Sequence, residues 1–132
     1  MKRKFRLWGF LLLPLSLILF FLTAAIGWGY AMVVLPFKRV QGSILWRWHH
    51  YWLRLAVSID QLGNVLLQYL LNDLLLCSRS TNRFGHEDET ISSVLGKNQK
   101  NNSLSGVGKF LSRFLDLLDP NHVLNSIEHP QD

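Results

Sequence analysis

The sequence predicts an all-α protein with an N-terminal transmembrane helix, an interfacial segment and a small C-terminal helical region. Three observations carry this prediction. Leu7 to Phe37 contains no charged residue, and about thirty residues exceed the roughly 20 that a helix needs to cross a hydrocarbon core. Leu53 to Cys77 and Gly106 to Leu118 place apolar residues at three- and four-residue steps, the helical period. No internal repeat or alternating strand pattern interrupts this scheme.

The leader Met1 to Arg6 is basic (MKRKFR). Followed by an apolar run, it has the form of a signal peptide, with Thr23-Ala24-Ala25 as a cleavage site. The run is too long for a signal core, so an uncleaved anchor over 1–37 is expected. Pro14 should kink it, and Gly27-Trp28-Gly29-Tyr30 marks a second soft point.

Residues 38–54 (KRVQGSILWRWHHYWLR) read as an interfacial segment. Trp46, Trp48, Tyr51 and Trp52 suit the headgroup level, where the ring body meets lipid and the polar atom stays wet. Arg47 and Arg54 lie among them. His49 and His50 point about 100° apart on a helix, so they do not converge on a metal ion.

Residues 55–128 form the expected helical domain, and 129–132 a tail. In Leu53–Cys77 the stripe is Leu55, Ile59, Leu62, Leu66, Tyr69, Leu70 and Leu74. Asp60, Asn64, Gln68 and Asn72 lie apart from it. An Asp near mid-bilayer costs about 2.5–3.5 kcal/mol. This favours an amphipathic helix, on the membrane or in a helical core, over a second span.

Ser78–Gly85 reads as a loop. Glu87-Asp88-Glu89-Thr90 then supplies acids and a capping hydroxyl for a short helix at Ile91–Leu95. Gly96 is the expected stop and Lys97–Ser105 a mobile loop. On Gly106–Leu118 the apolar side is Val107, Phe110, Leu111, Phe114, Leu117 and Leu118. Asp119-Pro120 predicts an N-cap and first helical position, with a last helix over 120–127.

Charge is unevenly spread along the 132 residues, whose formal net charge is +5. Every ionisable charge up to Arg54 is basic, and all nine acids lie at Asp60 or beyond. Basic residues beside an apolar span and among tryptophans point to anionic lipid headgroups rather than nucleic acid. The single Cys77 excludes an intrachain disulfide framework and a multi-cysteine zinc site.

Three short motifs occur in order. They are Asp60-Gln61-Leu62 with Asn64, then Asp88-Glu89-Thr90-Ile91-Ser92-Ser93, then Leu118-Asp119-Pro120-Asn121-His122 with Ser126-Ile127-Glu128. In this order they resemble short, uncharacterised proteins of tailed phages and prophages of Gram-negative bacteria. The resemblance covers Leu55 to Glu128. It implies a DQ-containing helix leading to a DETISS turn, and makes Asp60, Gln61, Asn64, Asp88, Glu89, Thr90, Ser92, Ser93, Asp119, Pro120, His122, Ser126 and Glu128 structural or partner-contact residues. Relatives often carry cysteines near Lys109 and Ser112 and after the motif histidine, where this chain has Val123. A thiolate metal site is therefore not expected here.

The best cluster for chemistry is His86-Glu87-Asp88-Glu89 with His122 and Glu128, as metal ligands or acid–base groups. Acids before a helix are more often caps. The chain has no phosphate-cradling glycine loop, zinc motif or dinucleotide fingerprint, so no cofactor, metal or enzymatic activity is expected.

The expected function is that of a non-enzymatic membrane-anchored interaction protein, phage- or prophage-encoded, acting at the bacterial inner membrane. Its partners would be the bilayer, an unidentified protein and a second copy of itself. A holin-like lysis protein is the alternative, with Leu55–Cys77 as a second span. The C-terminal region is expected in the cytoplasm, reached by a re-entrant bend at Pro14 or Gly27–Gly29 or by that second span.

Overall fold

The computed structural model describes residues 8–38 and 42–127. The basic leader, Arg39, Glu128 and the 129–132 tail lie outside the described residues. The protein is all-α, with six helices and no strand among the described residues. It divides into two compact units, 1–50 and 51–132.

In the first unit, α1 spans Trp8–Val34, 27 residues, and a 3₁₀ turn follows at Leu35–Phe37. At 1.5 Å per residue α1 is about 40 Å long. Gly9–Phe37 is long and apolar enough to cross a membrane, with mean hydropathy 2.5 and none of its window buried within the protein. The Ser16 hydroxyl donates to the Leu13 carbonyl and the Thr23 hydroxyl to the Leu19 carbonyl, each at 2.8 Å. Both polar groups are thereby satisfied within the helix, as hydrocarbon requires. Pro14 lies inside α1. Neither it nor Gly27–Tyr30 interrupts the helix, so the expected re-entrant bend is absent. Proline forfeits a single backbone bond, and the turns on either side hold the helix.

Helix α2 spans Ile44–Leu66. Ser43 caps it by accepting from the Trp46 amide at 3.2 Å. The interfacial segment and the start of the expected domain thus belong to one helix, and the boundary at 54/55 falls within it.

The second unit begins in this helix. The helix expected over Leu53–Cys77 is distorted at Leu67 and ends at Leu75, although the Leu67 amide still donates to the Gly63 carbonyl and the Leu71 amide to the Leu67 carbonyl, each at 2.9 Å. Leu67, at φ −98° and ψ 7°, separates α2 from α3, Gln68–Leu75. Beyond Leu75 the chain is extended, and Leu76 bridges Leu104.

Helix α4 spans Ile91–Lys100 and passes through Gly96, the expected stop. Lys97–Lys100, expected in a mobile loop, is helical, and Asn98 and Ser103 are buried. The reason is close packing rather than propensity. A Cβ on Gly96 would stand 2.2 Å from the Val123 carbonyl oxygen, so glycine lets α4 lie against the segment that carries Val123.

Helix α5, Gly106–Leu118, starts on a Ser105 cap whose hydroxyl accepts from the Gly108 amide at 3.1 Å. The last helix, α6, is only His122–Asn125. Asp119-Pro120 does not start it. Asp119 closes α5, and Asn121 takes a left-handed conformation at φ 60°. The Asp119 carboxylate turns to the His122 ring at 3.0 Å. The Val123 amide is met instead by Asp116, at 3.2 Å.

The core comprises Leu71, Leu75, Leu76, Phe84, Val94, Leu95, Leu104 and Val123, with Ile91, Leu111 and Leu115 packed against it. Most of the stripe read along α2 and α3 is not in this core. Ile59, Leu62, Leu66, Tyr69, Leu70 and Leu74 are exposed, while Asp60, Gln68 and Asn72 are half-buried and Asn64 is fully buried. The inward side of these helices carries Asp60, Asn64, Gln68 and Asn72 beside the core residues Leu71 and Leu75, and the apolar stripe faces outward. On α5, Leu111 packs on the core but Val107, Phe110, Phe114, Leu117 and Leu118 are exposed.

Candidate functional site

Residues 84–92 form a loop and helix start held by one face of α2 and α3. Asp60, Asn64 and Asn72 recur at multiples of four residues, so a helix stacks them on one side. Asp60 accepts from the Ser92 amide at 3.4 Å and the Ser92 hydroxyl at 3.2 Å. The Asn64 amide group donates to the carbonyls of His86 at 3.0 Å and Glu89 at 2.6 Å, and its oxygen accepts from the Gly85 amide at 3.0 Å. Asn72 exchanges a bond in each direction with the Phe84 backbone, at 3.0 and 2.9 Å. Gly85 sits at φ +122°, where a side chain is strained, and a Cβ there would meet Gln68.

The turn itself is a helix cap. The Thr90 hydroxyl accepts from the Ser93 amide at 3.1 Å. Glu89 accepts from the Ser93 hydroxyl at 2.9 Å and pairs with Lys97. Asp88 is exposed and does not cap the helix. Replacing Thr90 with Ala should cost about 1 kcal/mol, measured by denaturant unfolding of the full chain in detergent. A stability equal to the parent's would assign the motif to contact rather than capping.

The first and second motifs are therefore two sides of one clamp. Gln61 is half-buried beside it. The third motif lies elsewhere in the domain: Pro120 is exposed, and the Ser126 hydroxyl donates to the His122 carbonyl at 2.7 Å. Glu128 is outside the described residues. No three His, Cys, Asp or Glu side chains form a ligand set among the described residues. His86 and His122 accordingly act within separate hydrogen-bonded turns.

Of the interfacial residues, Trp46 and Trp52 are about half exposed and Arg54 is exposed, while Arg47, Trp48 and Tyr51 are half-buried. The Arg47 guanidinium donates to the carbonyls of Lys38 and Pro36, capping the end of the 3₁₀ turn.

One polar centre was not foreseen. Asn98 is fully buried. It donates to the Asn82 and Val94 carbonyls, both at 2.9 Å, and accepts from the hydroxyls of Ser80 and Ser103. Nothing distinguishes Asn98 within Lys97–Ser105, where four of the nine residues are Asn or Gln.

No protein-family model, curated protein or solved structure matches this chain. What the geometry offers is a structural clamp, a helix fit to cross a membrane and an exposed apolar surface.

Proposed function

We propose that the protein is a non-enzymatic, membrane-anchored interaction protein, phage- or prophage-encoded and acting at the bacterial inner membrane. The observation that carries this reading is the uninterrupted apolar helix α1, with large side chains such as Phe10, Phe21 and Ile26 exposed. Exposed residues of this kind over 27 positions need lipid around them. The phage origin rests on the three ordered motifs.

The structure gives the holin-like alternative less support than the sequence did. A second span would need Leu55–Cys77 as a continuous helix. Among the described residues only Gly9–Phe37 is long and apolar enough to cross a membrane, and the polar residues of Leu55–Cys77 hold the 84–92 loop.

The same facts bear on sidedness. Both routes that would return the C-terminal region to the cytoplasm, the bend and the second span, lose support. Basic flanks resist export, and four basic residues, Lys2, Arg3, Lys4 and Arg6, stand within five positions before the apolar run, against two, Lys38 and Arg39, within five positions after it. This supports a single span with the leader in the cytoplasm and the domain on the other side.

The protein is expected to stay in the pellet when membranes are extracted with carbonate. Release into the supernatant would overturn the anchor. Alkaline phosphatase fused after Asp132 should be active and a fluorescent protein fused there dark. The opposite pair of results would return the domain to the cytoplasm.

A further inference from the structure

The C-terminal domain leaves two apolar helix faces uncovered. On α2 and α3, Leu62, Leu66 and Tyr69 are 64, 74 and 80% exposed; on α5, Phe110, Phe114 and Leu117 are 71, 48 and 80% exposed. The two faces adjoin. The Ser105 amide donates to the Leu75 carbonyl at 2.8 Å and its hydroxyl to the Leu74 carbonyl at 2.7 Å. Leu74 and Val107, each about half exposed, stand on either side of that junction. Water-exposed apolar surface of this kind marks an interaction site.

Charge points to the occupant. At about 100° per residue, Val107, Phe110, Phe114 and Leu117 fall within an arc of about 80° on α5, and Arg113 and then Lys109 follow along one edge. Lys109 and Arg113 also line a groove of about 310 Å³ with Asn98, Gln99, Asn102 and Ser112. The one acid of α5, Asp116, is turned to the Val123 amide. An apolar arc with a cationic edge matches a bilayer surface, with acyl chains under the arc and phosphates at the edge. Connectivity agrees. Only residues 38–43 separate the 3₁₀ turn after α1 from α2, and six residues reach at most about 20 Å. The start of α2 is thus held near whatever membrane α1 crosses, at high effective concentration. Asp73 is exposed within the apolar arc itself, between Tyr69 and Leu66 around the helix, so the face rests at headgroup depth, where the carboxylate stays hydrated.

We propose that this face of the domain docks onto the surface of the bilayer through anionic headgroups, with Lys109 and Arg113 as the phosphate contacts. The proposal rests on the membrane-anchored reading.

The test uses the full chain in phosphatidylcholine vesicles with and without phosphatidylglycerol. Cys77→Ser removes the native thiol, and a nitroxide label is placed on Leu66→Cys, Phe114→Cys or, as the distant control, Glu87→Cys. Flotation of the protein with the vesicles reads the anchor itself, and its loss would sink the anchored reading. The label reads docking. With phosphatidylglycerol, labels at 66 and 114 should collide several-fold more with oxygen than with a water-soluble nickel chelate, and the label at 87 should show the reverse. Lys109→Glu with Arg113→Glu should move the 66 and 114 labels back toward water, while Asp73→Lys should drive them deeper. Labels at 66 and 114 that stay water-accessible in floated protein overturn docking but leave the anchor standing. Labels shielded from both agents, with spin–spin broadening that disappears on dilution with unlabelled chain, assign the face to a second copy and also overturn it.

Discussion

Asn64→Ala is expected to destabilise the C-terminal domain by about 3–5 kcal/mol, because each buried group left without a partner costs about 1–3 kcal/mol. Asn64 is fully buried and meets three backbone groups at once: the Gly85 amide and the carbonyls of His86 and Glu89. Alanine strips all three and leaves those backbone groups without their partner. A domain of this size has only about 5–15 kcal/mol in total, so the variant should be largely unfolded in mild denaturant. Asn64→Asp separates shape from chemistry. It keeps the acceptor for Gly85 but points a carboxylate oxygen at two carbonyls, and should be at least as damaging. Urea unfolding followed by circular dichroism on the full chain in detergent measures both. A loss below about 1 kcal/mol would mean that the 84–92 loop holds itself.

The effect was only half legible in the sequence. The four-residue spacing of Asp60, Asn64 and Asn72 was plain, and so was the cap at Thr90. Their pairing was not, because two polar patterns on separate segments carry no record of which backbone groups they meet. The apolar stripe beside them misled for a related reason. Periodicity shows that a helix has two unlike faces but not which one the protein covers. In α2 and α3 the polar side chains fit a loop made of backbone donors and acceptors, and Leu62, Leu66 and Tyr69 are left outside. The existence and extent of the apolar helix α1 were legible because length and the absence of charge are its signal, but its uninterrupted passage through Pro14 and Gly27–Gly29 was not. The final turn was misread at Asp119-Pro120 because a capping motif competes with nearby carboxylates, and Asp116 reaches the Val123 amide.

Gly96→Ala should destabilise the same domain by about 1–3 kcal/mol or more, the usual range for overpacking, although alanine is the better helix former. On propensity alone the exchange inside α4 favours alanine by about 1 kcal/mol. Packing opposes it. The added Cβ would stand 2.2 Å from the Val123 carbonyl oxygen and 2.7 Å from a side-chain carbon of Ile127. The first of these is backbone and cannot rotate away, so α4 and α6 must separate. Val123 is itself fully buried beside Val94 and Leu95 in the core, and the shift would open that contact as well. Gly106→Ala supplies the control at the first turn of α5, where a Cβ meets nothing within 4 Å. There the same exchange should be neutral or mildly stabilising, because it only restricts the unfolded chain. Thermal unfolding of the two variants should therefore move in opposite directions or, at the least, separate clearly. Equal midpoints would show that α6 does not rest on Gly96, and that the mid-helix glycine is tolerated rather than required.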